Sequence, residues 1–185
     1  MTQQTLSADK PVHRIAVLSD VHGNLPALEA VLDDVRRQGV QTVWNLGDFV
    51  GYGPFVDDVV NRLFDVCAAQ VVGNYDLKVL KFPKKRNKWQ KMKKREKYQA
   101  FKWAWEHLSK ANAARLKQLP EQILQEAAGI RFLLTHGGPE AVDEVIGPAT
   151  GARRLSELAA MTEADVILCG HTHVPFLKTV NTTTF

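Results

Sequence analysis

The chain has 185 residues, 45% of them apolar and 24% charged, with a formal net charge of +4. That length and balance suit one globular domain burying its own core, and they exclude a disordered, fibrous or disulfide-stapled chain. No apolar run approaches the roughly 20 residues of a membrane span.

The segment from Met1 to Pro11 is polar and lacks the apolar stretch of a signal peptide. It reads as a flexible leader over residues 1–12, ahead of a single domain over 13–185 in a cytoplasmic protein. The first apolar run, Arg14-Ile15-Ala16-Val17-Leu18, reads as a buried strand and ends at Ser19-Asp20-Val21-His22. Asn24 then caps a helix in which Pro26 suits the first turn, and Leu28, Val31, Leu32 and Val35 form one apolar face. Arg36 and Arg37 suit its C-terminal end, and Gly39 supplies a left-handed stop.

A second strand, Gln41 to Leu46, ends at Gly47-Asp48 and leads into a Gly/Pro loop, Phe49 to Pro54. Val56, Val59, Val60, Leu63 and Phe64 mark the next helix. The run Val66 to Val72 reads as a third strand, ending at Gly73-Asn74-Tyr75-Asp76. Two more strands are predicted downstream: Ile130–Thr135, ending at His136-Gly137, and Asp165–Cys169, ending at Gly170-His171-Thr172-His173. A helix around Arg153–Met161 separates them. Strands alternating with helices imply an α/β domain with mostly parallel neighbours. Cys67 and Cys169 lie far apart in apolar runs and read as reduced core residues.

Lys81–Lys97 holds ten Lys or Arg against one Glu, a net +9 that leaves −5 on the rest of the +4 chain. We read residues of about 78–120 as a basic helical insert. It ends in a helix with the stripe Tyr98, Phe101, Trp105, Leu108 and a short one that Ser109 could cap. Clustered cations with Trp89 and Met92 suit a nucleic-acid partner over Lys84–Lys97. They equally suit a solvated face or lid that steers anionic substrates.

Five apolar runs thus end in metal-competent side chains: Asp20 and His22, Asp48, Asn74, His136, and His171 with His173. In a parallel sheet such ends share the edge where open α/β folds bind ligands. Singly, each side chain could be a turn cap or a satisfied core residue. Together they exceed the ligands of one cation and suit two divalent ions sharing a carboxylate. Asp, Asn and His donors without thiolate suit Mn, Fe, Zn, Co or Ni more than Ca or a purely oxygen-bound Mg, and Mn2+ is the ion expected here.

These motifs, D-x-H, G-D, G-N-Y-D, H-G and G-H-T-H in this order, resemble the set of the calcineurin-like metallophosphoesterase superfamily, in its small single-domain prokaryotic phosphodiesterase form. The resemblance implies a β-sandwich flanked by helices in α-β-β-α layers. It implies one ion held by Asp20, His22, Asp48 and His173, and another by Asp48, Asn74, His136 and His171. It further implies hydrolysis of phosphodiesters or small phosphomonoesters by a metal-bridging hydroxide, with Asp48, Asn74, Tyr75, Asp76 and His136 as the catalytic set. Other members of the superfamily leave two alternatives open: a nucleic-acid-directed nuclease or binding protein using the basic insert, and a non-catalytic interaction module.

Three departures stand out. Many relatives carry a proton-donating His where this chain has Tyr75. The Asp-Arg-Gly that follows the Gly-Asp in some branches, whose Arg would grip phosphate, is replaced by Asp48-Phe49-Val50. The closing strands that usually follow the last motif are expected to be missing, which would leave an edge open to homo-oligomer formation.

Overall fold

The computed structural model describes residues 14–185. The leader expected over residues 1–12 lies outside the described residues. Among those described, eight strands and six helices follow the chain in four layers.

The first sheet is parallel, in the order β1 (Ile15–Leu18), β2 (Thr42–Asn45), β3 (Ala69–Gln70). Two amphipathic helices connect its strands, α1 (Leu25–Arg37) and α2 (Val56–Val66). Asn24 caps α1 as expected, its side chain accepting the Ala27 N–H at 3.2 Å. The apolar face of α1 is narrower than its spacing predicts: Leu28 and Leu32 are buried, while Val31 is 44% exposed. Beside it β1 is an edge strand, and Val17 is likewise partly exposed. The run Val66–Val72 is strand only at Ala69–Gln70, because α2 continues through Val66.

Three further helices cover the same face: α3 (Asn74–Met92), α4 (Arg95–His107) and α5 (Lys110–Gln118). Ser109 caps α5, accepting the Asn112 N–H at 3.2 Å. These helices are core rather than appendage, since Val79, Phe82, Phe101 and Leu116 are buried with Val59, Val60 and Leu63 in one cluster. Nor does the first helix wait for position 78: it starts at Asn74, inside the Gly-Asn-Tyr-Asp motif. Tyr75 and Trp89, fourteen residues apart, both pack on Phe101, at 4.9 and 5.5 Å between ring centres. A straight helix would separate them by about 21 Å along its axis. The helix therefore bends back over Phe101, and Pro83 within it, lacking a backbone donor, supplies the break.

The second sheet is mixed, in the order β4-β5-β6-β8-β7. The strand β4 (Gln122–Ala127) was not predicted. It pairs antiparallel with β5 (Ile130–Thr135) through the turn at Ala128 and Gly129, both at positive φ. After α6 (Ala152–Ala159), β6 (Val166–Leu168) lies parallel to β5. The short hairpin β7 (Thr179–Val180) and β8 (Thr183–Thr184) extends the sheet, β8 pairing with β6 and β7 lying at the edge.

Trp44, Leu46, Ala69, Val71 and Leu134 pack with Phe132 and Leu168 between the sheets. Leu155, Leu158 and Ile167 join α6 to the outer face of the second sheet. The layers are thus helices, sheet, sheet, helix, the α-β-β-α arrangement that the resemblance implies. The mostly parallel alternation holds, but across two sheets rather than one.

Candidate metal centre

The loops after β1 and β2 stay paired beyond the strands. Asp20 N–H donates to Gly47 O at 3.0 Å, His22 N–H to Asp48 O at 2.9 Å and Gly23 N–H to Phe49 O at 2.7 Å. In the second sheet Gly170 N–H donates to His136 O at 2.8 Å, tying the ends of β5 and β6. The two edges meet where Asp20 Oδ2 accepts the His171 N–H at 3.0 Å.

Both carboxylates face histidine nitrogens. Asp20 Oδ1 lies 3.0 Å from His173 Nε2, 3.8 Å from His22 Nε2 and 3.9 Å from His136 Nε2. Asp48 Oδ2 lies 3.3 Å from His136 Nε2 and 3.5 Å from His22 Nε2. Two three-donor groups result, Asp20/His22/His173 and Asp20/Asp48/His136. Asn74 Nδ2 lies 2.8 Å from His171 Nδ1, bringing the sixth and seventh side chains alongside.

The orientation of these donors suits a cation. His136 Nδ1 is 2.9 Å from Leu46 O and His22 Nδ1 is 3.1 Å from Val50 O. A backbone carbonyl can only accept, so each Nδ1 carries a proton and a neutral ring aims the Nε2 lone pair at the carboxylates. Among the described residues, buried His136 Nε2 and Asn74 Oδ1 have no hydrogen-bond partner. A lone pair 3.3 Å from a carboxylate oxygen is repulsive unless a proton or a metal ion lies between them. In the metal-free site burial opposes charge on His136, but the Asp48 carboxylate outweighs it and raises the pKa. Burial holds His22 and His171 below the ordinary histidine value.

The backbone is strained here and almost nowhere else. Asp20, His22, Asp48, His171 and His173 all have φ between 49° and 66°; among the described residues only Ala128 and Asn181 share this among non-glycines. Such conformations cost energy and gather where surrounding structure enforces them for function. Two glycines make the close approach. A Cβ on Gly73 would strike Asp48 Oδ1, and one on Gly170 would strike Ser19 Oγ and Asp20 Oδ2.

Asp76 is placed differently from the other residues predicted as catalytic. Its carboxylate is fully buried and accepts the N–H groups of Asp48 (3.0 Å), Val50 (3.1 Å) and Gly73 (2.9 Å). Burial and the neighbouring Asp48 push its pKa up to about 8, against those donors. It braces the loop that presents Asp48 and does not reach the cleft.

A cleft of about 350 Å³ opens over the centre, with Tyr52, Tyr75, Lys78 and Lys97 opposite the ligand side chains. The Tyr52 and Tyr75 hydroxyls are hydrogen-bonded, and both rings pack edge-on against His22, at 4.8 and 5.0 Å. Burial and the bond to Tyr75 push Tyr52 up to about 12, and burial raises Tyr75. Ser19, which donates to Asp20 at 2.6 Å, and Tyr52 and Lys78 were not singled out from the sequence, and Lys97 was named only as the end of the basic segment Lys84–Lys97. Ser19 and Tyr52 adjoin the motifs and could have been suspected from position. Nothing local marks the two lysines among their many neighbours.

The calcineurin-like phosphoesterase superfamily domain matches residues 14–185. The chain belongs to that superfamily. It is 30% identical over 177 residues to an uncharacterised protein of Methanocaldococcus jannaschii, covering 89% of this chain and 64% of that protein. It is 28% identical over 176 residues to the phosphodiesterase YfcE of Escherichia coli K12, covering 88% and 70%. A metallophosphoesterase structure from Sphaerobacter thermophilus superposes with a TM-score of 0.69 at 28% identity, covering 89% of this chain and 62% of that one. The chain therefore spans under two thirds of the Methanocaldococcus and Sphaerobacter proteins. A hypothetical protein from Pyrococcus horikoshii shares the fold, with a TM-score of 0.79 at 21% identity. The Asp and His side chains gathered at the strand ends form groups that could hold a divalent metal ion, as members of this superfamily typically do. Among the described residues no helix is long and apolar enough to cross a membrane.

Proposed function

We propose that this protein is a dinuclear metal-dependent phosphodiesterase whose ligands are Asp20, His22, Asp48, Asn74, His136, His171 and His173. The observation that carries this reading is the buried His136 Nε2, unpartnered and aimed at Asp48 Oδ2 from 3.3 Å. Asp20, His22 and His173 would hold one ion; Asn74, His136 and His171 the other; Asp48 reaches both groups. The ligand chemistry favours Mn2+ over a purely oxygen-bound metal. Two divalent ions there supply an activated water and charge compensation for the phosphoryl oxygens.

The protein's own groups do the rest. The Leu46 and Val50 carbonyls lock the tautomers of His136 and His22. Asp48 Oδ1 accepts the Tyr75 N–H at 2.7 Å, fixing that carboxylate against the start of α3. Asp76 holds the Asp48–Val50 backbone in its strained path. Tyr75 stands beside the centre as a neutral hydrogen-bond donor, positioned to orient the ester without protonating a poor leaving group.

Metal content and hydrolysis of bis(4-nitrophenyl) phosphate, with Asp48→Ala as control, test the reading. We expect two divalent ions per chain and activity abolished in the variant. Two bound ions with no hydrolysis of any ester would instead indicate a metal-bound interaction module.

A further inference from the structure

The bend of α3 has a chemical result beyond packing. It returns the end of the helix to its own beginning, so that Lys78, Lys93 and Lys97 gather near one another. Lys78 Nζ and Lys97 Nζ lie 5.2 and 5.1 Å from the centre of the Tyr75 ring. Lys93 Nζ lies over Trp89 and Phe101, at 4.9 and 5.4 Å. Among the described residues none of the three has a carboxylate within 4.0 Å, although ten other basic or imidazole side chains do form such pairs or networks elsewhere in the protein or at the centre. Burial lowers the pKa of Lys78; the fields of Asp143 and Asp48 oppose this, and repulsion from Lys97 and Lys93 adds to it. Gathering like charges with no carboxylate in contact opposes folding, and a bound anion offsets it.

Lys78 and Lys97 line the same cleft as the metal ligands, but one aromatic ring away from them. Tyr75 lies between, packed against His22 on one side and carrying the two ammonium groups around it. Cations so placed reach a group next to the one held by the ligands. A phosphate leaving group departs as a stable anion, and lysine ammonium ions stabilise it as point charges.

We propose that Lys78 and Lys97 form a second phosphate subsite, which makes pyrophosphate-bridged compounds, such as two nucleosides joined through a diphosphate, the preferred substrates. This rests on the phosphoesterase reading above. Water adds to one phosphorus, and the bridging P–O bond breaks. The departing phosphate keeps the bonding pair and rests on the two lysines, while the water oxygen stays on the attacked phosphorus and its protons pass to solvent. The exposed cations farther along α3, Lys84 to Lys91, are outside this subsite and act by attracting anions to the cleft.

The test compares a dinucleoside diphosphate with bis(4-nitrophenyl) phosphate as substrates of the metal-loaded wild type and the double variant Lys78→Ala/Lys97→Ala. Inorganic pyrophosphate binding is measured by calorimetry in parallel. We expect kcat/KM on the diphosphate to fall about 100-fold, given the usual strength of charge-assisted bonds. The loss on the nitrophenyl ester should be at least ten times smaller, pyrophosphate binding should weaken about tenfold or more, and Lys78→Arg/Lys97→Arg should recover part of each. Equal losses on both substrates, or undiminished pyrophosphate binding, overturn the subsite. Cleavage of a single-stranded oligonucleotide in preference to the diphosphate, with the same lysine dependence, overturns it in favour of a polynucleotide substrate. If no ester is hydrolysed yet pyrophosphate binding needs the lysines, the subsite stands and the phosphoesterase reading falls.

Discussion

Asp20 accepts a hydrogen bond from the backbone of His171, 151 residues later in the chain, at 3.0 Å. This bond joins the edges of the two sheets, and it forms only because Gly170 lets the backbone come against Ser19 and Asp20. A methyl group at Gly170 would strike Ser19 Oγ and Asp20 Oδ2. We expect Gly170→Ala to weaken metal binding about 10- to 100-fold, as disturbed support of ligands usually does. It should also lower stability by about 1–3 kcal/mol through overpacking. Gly151→Ala is the control, since a Cβ there meets nothing within 4 Å and φ is −70°. It should change stability by less than about 0.5 kcal/mol. Competition with a metal-binding dye and urea denaturation measure both, and equal behaviour of the two variants would refute the argument.

The unpartnered lone pairs at His136 and Asn74 make the centre a place where metal and fold are linked. At a hundred times its dissociation constant, one bound ion adds about 2.7 kcal/mol to stability. In a chain of this size that raises the melting temperature by roughly 5–10 °C. Chelator should remove the increment and Mn2+ restore it. In His136→Ala the increment should shrink to less than half. An identical melting temperature with and without chelator would show that the site is satisfied without metal.

Tyr75 bears on the leaving group. General acid catalysis contributes about 10²–10⁴-fold where the acid is well placed. Wild type should therefore hydrolyse a nitrophenyl ester far better than an alkyl ester of the same phosphate. Tyr75→His should narrow that ratio by about tenfold or more, and Tyr75→Phe should leave it within about threefold. The ratio of kcat/KM values is the measurement, and an unchanged ratio in Tyr75→His removes leaving-group protonation from the role of this position.

The ligand side chains could be read from the sequence because each sits within a few residues of the strand end that places it. Asn24, Gly39 and Ser109 were legible for the same reason, capping being decided by neighbours in the chain. Pairing between distant strands was not legible: the apolar runs before His136 and His171 look like those before Asp20 and Asp48, yet they build a separate sheet. The strand Gln122–Ala127 escaped because Leu124 on it is exposed and the inward residues Ile123, Gln125 and Ala127 include a polar one. Val31 carries the helical period of α1 but lies toward the open side of β1, so periodicity overstates the buried face. Lys78 and Lys97 were hidden most deeply. Their meeting at Tyr75 depends on a bend at Pro83, and in the sequence one lysine stands just before the basic run and the other at its end.

Away from the centre, Arg131 at the start of β5 grips Asp165 at the start of β6. Asp165 accepts the Arg131 backbone N–H at 2.9 Å and its guanidinium at 3.0 and 3.2 Å. The guanidinium and the backbone N–H hold the Asp165 carboxyl at about 2, below the reference 3.8. A carboxyl whose folded pKa lies below its unfolded one stabilises the fold above the unfolded value, and loses that contribution as pH falls through the folded one. The window is therefore about pH 4 down to about pH 2. Asp165→Asn keeps the shape and removes the charge, so it should be less stable than wild type at pH 7. That difference should shrink as pH falls through the window and vanish below it. Because both side chains are well exposed, the difference at pH 7 should be modest and should diminish in high salt. Urea midpoints of the two proteins at pH 7, 4, 3 and 2 give the measurement. A gap between them that persists undiminished at pH 2 would mean that the Asn substitution acts through packing rather than through the Arg131 pair.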